Sequence, residues 1–405
     1  MESCSYFKLD LKPKISLSKS SVSLFLCYAL KKHKKLAYFC DDSFSLKRLR
    51  DEIEHIDPTV NIVVFPELDC PLLSNLSPTK TIIKERILCF YNLIFNQSKT
   101  IFLASINSLL LKVIPKQRLE NKRLKISFNK INTFEKINNY LITQMYERVE
   151  FVRNPGEYAV RGDIIDIYSP NEKHPLRVLF DFDEIESLFL FDKNTQKSKT
   201  KIDEYYLFPA TEIIFDDDAI KNFRENYRKF KFNNKEEYYN SISNKILLPG
   251  SDQFYPMIYD KYDSILEYLS NYCFFLASDF ENILKKTKKS LEDDFAEINS
   301  LFLKQNNFIS NKSEIDKILK RNKVHFLYNY FFNDKNFQLF SEEEFISSDK
   351  NKNKIKFLRN IKKVNKQMIF CFESNSNRKQ ITNYLNNSNL KFEEIDKIDF
   401  SDLKP

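Results

Sequence analysis

Apolar positions in the first 110 residues follow a helical period interrupted by short unbroken runs. Residues 18–33 carry Val22, Leu26 and Leu30 at steps of four, which stack on one helical face. Residues 44–56 place Leu46, Leu49, Ile53 and Ile56 in phase, and 82–95 read as a third helix. The runs between them, 36–40, 62–65 and 100–104, have the length of buried strands. Short apolar strands alternating with longer helices predict a parallel α/β sheet. After Pro115 the pattern changes. A helix is predicted over 133–144, followed from 148 to 191 by period-two alternation. Ile164, Asp166 and Tyr168 fall opposite Ile165 and Ile167, and Val178, Phe180 and Phe182 share one side, as in an antiparallel meander. Helical periodicity returns at 217–230 and 282–303, followed by a strand at 323–328, a polar linker at 347–354, a strand at 367–372 and a helix at 378–385. A β-rich segment that interrupts an α/β pattern predicts one domain inserted into another.

Composition changes this picture little. The 405 residues include 38 Phe and 21 Tyr but no Trp and only three Gly, a skew that fits A/T-rich coding. The net charge of +8 therefore reads first as a solvated lysine-rich surface, with weak DNA contact as its functional alternative. Seven basic residues and one acid, Glu120, between Lys112 and Lys130 are where that contact is expected. Seven scattered cysteines without a CxxC pair predict reduced, mostly buried thiols. His33, His55, His174 and His325 have no metal-ligand spacing, so no zinc site or cofactor is expected. No signal-peptide pattern and no run of 18 apolar residues is present, which predicts a cytoplasmic protein without membrane contact.

Catalytic chemistry finds no constellation. Before the first long helix the chain reads Ile15-Ser16-Leu17-Ser18-Lys19-Ser20, whose Lys-Ser mimics the end of a phosphate loop, yet the first glycine is Gly156. A phosphate loop needs glycines so that backbone amides can close round the anion. The acids Asp41-Asp42, Asp216–Asp218 and Glu292–Asp294 suit helix starts and solvated faces. In so glycine-poor a chain, Gly156 and Gly162 mark backbone demands: a type II turn at Pro155-Gly156, and a bulge or close approach at Gly162.

Residues 146–209 read YERVEFVRNPGEYAVRGDIIDIYSPNEKHPLRVLFDFDEIESLFLFDKNTQKSKTKIDEYYLFP. This resembles the UvrA-interaction domain shared by the excision-repair protein UvrB and the transcription-repair coupling factors, with its GEFAVRGGILDIFP-like strand pair, FxDEIES and FDxxTQRS. Flanking segments favour the coupling factors. Phe65-Pro66-Glu67-Leu68-Asp69-Cys70-Pro71 with Arg86 is similar to their FPAWDCLPYDRVSP motif, Pro209-Ala210-Thr211-Glu212 to their PASE, and Leu248-Pro249-Gly250 with 255–259 to their WLP stretch.

The resemblance implies a degenerate RecA-like, P-loop-type α/β domain from residues 1–118 and 208–345. It also implies an inserted α+β UvrA-interaction domain at 119–207 and a linker with a partial third α/β domain at 346–405. It implies a UvrA-binding adaptor in transcription-coupled nucleotide-excision repair, not itself an enzyme, because the Walker motifs of the family's translocase are missing. The polymerase-binding and translocase domains are expected to lie beyond this stretch, so RNA polymerase would be reached only through them. The family's two UvrA-contacting arginines fall on Arg161 and Arg177, and its aromatic falls on Asp181, flanked by Phe180 and Phe182. Gly156, Gly162 and Asp166 belong to the motif's structure. As partner contacts both guanidinium groups are expected on one exposed sheet region; the alternative is pairing with Asp163, Asp181 or Asp183 inside the sheet. Rival readings of the whole are a UvrB-like ATP-dependent strand-opening protein and a decayed remnant of a split gene.

Overall fold

A computed structural model describes residues 14–16, 22–40, 42–70, 76–128, 132–229, 236–277, 280–298, 309–328, 375–387 and 391–392. The chain opens with β1 (Lys14–Ser16), α1 (Val22–Lys32), β2 (Lys35–Cys40), α2 (Ser43–Ile56), β3 (Asn61–Phe65), α3 (Lys80–Phe95) and β4 (Thr100–Ser105). Asp42 starts α2 by accepting the amide of Ser45 at 2.7 Å, and Thr79 caps α3 in the same way. Then follow α4 (Ile106–Leu110), β5 (Lys112–Val113), α5 (Lys116–Glu120) and β6 (Leu124–Ser127).

Next come α6 (Phe134–Thr143) and the strands β7 (Glu147–Arg148), β8 (Glu157–Arg161), β9 (Ile164–Ile167), β10 (Leu176–Asp181), β11 (Glu184–Phe191), β12 (Ser198–Ile202) and β13 (Glu204–Leu207). The return leg holds α7 (Asp217–Lys229), α8 (Glu236–Ser243), two 3-10 turns (Ser251–Met257, Ile265–Leu269), β14 (Asp263–Ser264) and β15 (Cys273–Ala277). It continues with α9 (Phe280–Ile298), α10 (Lys312–Arg321), β16 (Val324–Tyr328) and α11 (Asn375–Asn387). The helix expected at 378–385 lies inside α11. The linker at 347–354, the strand at 367–372, residues 17–20 of the Lys-Ser segment and the end of the helix expected to reach 303 lie outside the described residues.

One six-stranded sheet, in the order β1-β16-β15-β2-β4-β3, is parallel throughout. Its central strands are buried on both faces, which explains why they read as unbroken apolar runs. Leu36, Tyr38, Ile101 and Leu103 pack under α1 and α2 on one side. Ala37, Phe39, Phe102 and Ala104 join α3, α4, α7 and the 3-10 turns on the other.

Between α5 and α7 the chain leaves this sheet and returns. β6 and β13 pair antiparallel, Leu124 opposite Leu207, so the outgoing and incoming strands form one ribbon. Beyond it stands a second sheet, in the order β12-β11-β10-β9-β8-β7, antiparallel except for the β7–β8 pair. Ile126, Ile137, Leu141, Tyr205 and Leu207 cover one face of it. The base of the ribbon is tied by Tyr146, whose hydroxyl donates to the carbonyl of Phe208 at 2.6 Å and lies 2.9 Å from Ser169 Oγ. Burial pushes that phenol well above its ordinary range, so it remains a donor at all working pH. Among the described residues no helix is long and apolar enough to cross a membrane.

Candidate functional site

Alternation along β8, β9 and β10 sorts the second sheet into two faces. Tyr158, Ile165, Ile167, Leu176, Val178 and Phe180 turn toward α6 and the ribbon. The register pairs Asp166 with both Ala159 and Arg177, so these residues share the opposite face. There the carboxylate of Asp166, only 1% exposed, is held from two sides. Arg161 donates Nη2 to Oδ2 at 2.6 Å, while Arg177 donates Nε to Oδ1 at 2.7 Å and Nη2 to Oδ2 at 2.9 Å. The expected in-sheet pairing of the arginines therefore exists, but with Asp166 rather than Asp163, Asp181 or Asp183. The reason is register: Asp166 is the direct cross-strand neighbour of Arg177.

The two arginines are not equivalent, and the expectation of one exposed pair is corrected here. Arg177, with a side chain 17% exposed, also donates Nη1 to the carbonyl of Gln196 (3.1 Å) and to Ser198 Oγ (3.3 Å), and it lies over the ring of Phe191. Its guanidinium donors are largely consumed within the fold. Hydrogen bonding to Asp166 raises its already high pKa further. Arg161 is 42% exposed and makes one bond to Asp166, with its guanidinium 5.3 Å from the centroid of the half-exposed Phe151 ring. Arg177 is thus committed within the fold, whereas Arg161 is only partly so.

The turns around this cluster explain the motif residues. Asp192 accepts the amides of Asn194 and Thr195 at 3.0 and 2.9 Å and the ammonium of Lys199 at 2.7 Å. That turn delivers Gln196, at φ +59°, whose backbone carbonyl receives Arg177 and whose side-chain Nε2 donates to Val152 O at 2.9 Å. Gly156, at φ +86°, completes the expected turn, with the amide of Glu157 on the carbonyl of Asn154. Gly162 is neither a bulge nor a close approach. It takes φ +57° at the first position of a two-residue hairpin joining β8 and β9, and a Cβ there would meet nothing within 4 Å.

Two carboxylates in these turns predict an acid response. Burial opposes the charge of Glu157, but the amides of Arg153 and Asn154 and the side chain of Asn154 outweigh it and hold its carboxyl below the ordinary range. The Lys199 bond, helped by the two turn amides, depresses Asp192 further. A depressed carboxyl contributes stability that is complete above its unfolded pKa and is lost as pH falls through the folded one. The unfolding midpoint in urea is expected to fall progressively below about pH 4. Glu157→Gln should lower that midpoint at pH 7 and converge with wild type near the acid limit. A difference independent of pH would contradict this assignment.

The candidate aromatics separate cleanly. Phe180, expected on the partner face, is 5% exposed and meets Phe134 edge-on at 5.3 Å. It belongs to the core, because β10 keeps strict alternation and the bulge falls on β11. Asp181 is exposed at the end of β10. Phe182 is 91% exposed at the first position of the β10–β11 hairpin, with φ +53°. Sequence alternation grouped it with Val178 and Phe180; the turn ejects it, and its flanking Asp181 and Asp183 were the available signal. The amide of Phe180 donates to Asp163 O at 2.9 Å, so both hairpin tips lie at one end of the sheet. Arg161, Phe151 and Phe182 thus occur together with exposed Asp163, Asp181, Asp183 and Glu184.

Two of the other motif segments meet at one buried ion pair. Arg86 in α3 donates Nε and Nη2 to the two carboxylate oxygens of Glu212 and Nη1 to Pro66 O at 3.1 Å, and it lies 4.1 Å from the centroid of Phe65. Gly250, at φ +80°, donates its amide to Ser77 Oγ at 2.9 Å.

Residues 124–213 match the family model of the UvrB interaction domain. The transcription-repair-coupling factor of Rickettsia typhi is 30% identical over 354 residues, covering 84% of this chain and 31% of that protein. That of Rickettsia prowazekii is 30% identical over 359 residues, again 84% and 31%. The Haemophilus influenzae factor is 30% identical over 251 residues, 61% of this chain and 21% of that protein. The chain spans at most about a third of the length of these relatives.

Proposed function

We propose that this chain is a UvrA-recruiting module of the transcription-repair-coupling-factor type, acting in transcription-coupled nucleotide-excision repair. The observation that carries the reading is the match of residues 124–213 to the UvrB interaction domain, on whose outer sheet face Arg161 is held ready by Asp166. Residues 119–207 are the inserted contact domain, and 1–118 with 208–345 form a degenerate RecA-like platform for it. A linker and a third α/β segment follow from 346. The module itself does not turn over ATP: the segment Ser16–Ser20 has no glycine with which to wrap a phosphate.

Contact is made at the end of the sheet where Arg161, Phe151 and Phe182 lie. Arginine and aromatic side chains dominate protein interfaces because they combine large buried area with directed hydrogen bonds. Arg161 takes a carboxylate of UvrA. Phe182 offers the ring that Asp181 does not, and a bulky residue at positive φ is costly enough, about 1–3 kcal/mol, to need a reason at an exposed tip. The acids around it require matching cations on the partner. DNA contact is weak and non-specific, in the range of about 10⁻⁴ to 10⁻⁶ M at physiological salt, and RNA polymerase is reached through other domains. A calorimetric titration with UvrA of the same organism tests this reading: saturable binding is expected, and its absence would overturn it.

A further inference from the structure

Three side chains far apart in sequence converge where β15 and β16 begin. His33 follows α1 directly, its amide on Ala29 O at 3.0 Å. Cys273 is the first residue of β15 and His325 the second of β16. The register sets His325 beside Phe275, two positions after Cys273, so all three strand residues share the face that α1 covers. The His325 ring stacks on Phe275 at 5.2 Å, and the His33 and His325 rings are 6.3 Å apart. One ligand-type atom from each of His33, Cys273 and His325 lies within 4.8 Å of the others. Cys273 and His325 are buried, and His33 is half-buried. His33 Nε2 is nonetheless shut off from solvent without a hydrogen-bond partner. A buried polar nitrogen in that state calls for a ligand, since nearly all such atoms in native proteins are satisfied.

We propose that His33, Cys273 and His325 bind a zinc ion. Two imidazoles and a thiolate form a borderline-soft donor set that suits zinc and excludes magnesium and calcium, which take oxygen. Coordination displaces the thiol proton of Cys273 to solvent, and a water molecule takes the fourth position. At bond lengths of about 2.0–2.3 Å the ligand atoms sit roughly 1 Å closer together than 4.8 Å, so binding draws the His33 ring inward. The ion joins the end of α1 to the two strands and acts as a structural staple at the edge of the sheet opposite the strands' C-terminal ends. Lys32 and Lys323 flank the cluster and oppose a cation; Lys323 favours the Cys273 thiolate, but burial outweighs it and pushes the thiol up to about 11, so the metal itself must displace the proton.

Untagged, metal-stripped full-length chain titrated with zinc against a chromophoric chelator is expected to take up one equivalent. Cobalt in its place should give the near-ultraviolet absorption of a thiolate–metal bond. His33→Ala, at the half-buried position where folding is least at risk, should weaken zinc binding by at least the roughly 10–100-fold that loss of an outer partner costs. Cys273→Ala should abolish the cobalt–thiolate band, while His55→Ala should leave both readings unchanged. Zinc should raise the unfolding temperature of wild type and not that of His33→Ala. Uptake equal in wild type and His33→Ala, or a cobalt spectrum without a thiolate band, would overturn the proposal.

Discussion

Arg86→Met is expected to destabilise the fold by about 3–5 kcal/mol, the range for breaking a buried ion pair from one side. Arg86 and Glu212 are both largely shut off from water, and their paired hydrogen bonds are the compensation for that burial. Removal of the guanidinium strands the Glu212 carboxylate; Glu212→Gln strands the guanidinium. The pair also fastens Pro66 to the start of the return leg, so its loss loosens α3 against the chain that leaves the second sheet. Replacing both partners by apolar residues of similar volume should recover most of the stability, because no unpaired charge is then left inside. Urea unfolding of the two single variants and the double variant measures this. A single variant within about 0.5 kcal/mol of wild type would show that the pair carries no stability.

Arg177→Ala is expected to cost a similar 3–5 kcal/mol, whereas Arg161→Ala should cost only about 0–1 kcal/mol. Both residues meet the same carboxylate, and the contrast comes from solvent. Arg177 makes two bonds to the buried Asp166 and fastens the Gln196 turn, all largely out of water. Arg161 is more than a third exposed and its single bond is screened. If thermal or urea unfolding gave equal losses, the division into supporting and contacting arginine would be wrong.

Much of this was legible in the sequence, and the illegible parts have definite causes. The unbroken runs at 36–40 and 100–104 announced strands buried on both faces, and β2 and β4 are such strands. The helix predicted over 133–144 is α6, and the acid before the second helix is its cap, Asp42. Of the cysteines described, Cys27, Cys40, Cys89 and Cys273 are buried and Cys70 is half-buried. What alternation could not supply was where it stops. It placed Phe182 with Val178 and Phe180, because a two-residue hairpin is not visible to a period-two count. It pointed to Asp163, Asp181 or Asp183 as partner of the arginines and missed Asp166, because that choice depends on cross-strand register. The His33–Cys273–His325 cluster was invisible for a similar reason: its residues come from three elements that only the parallel sheet order brings together.

The most direct test of the proposed function is a calorimetric titration of UvrA with wild type and with Arg161→Glu, run beside their urea unfolding curves. Reversing this charge leaves a partner carboxylate unpaired at the interface, a loss of roughly 2–5 kcal/mol, or about 30-fold or more in affinity. Phe182→Ala should weaken binding as well, and Arg161→Ala should unfold within about 1 kcal/mol of wild type, which separates lost contact from lost fold. Wild type binding saturably, with Arg161→Glu at least about 30-fold weaker while still cooperatively folded, is the expected result. Wild type and a folded Arg161→Glu binding UvrA equally well would contradict it.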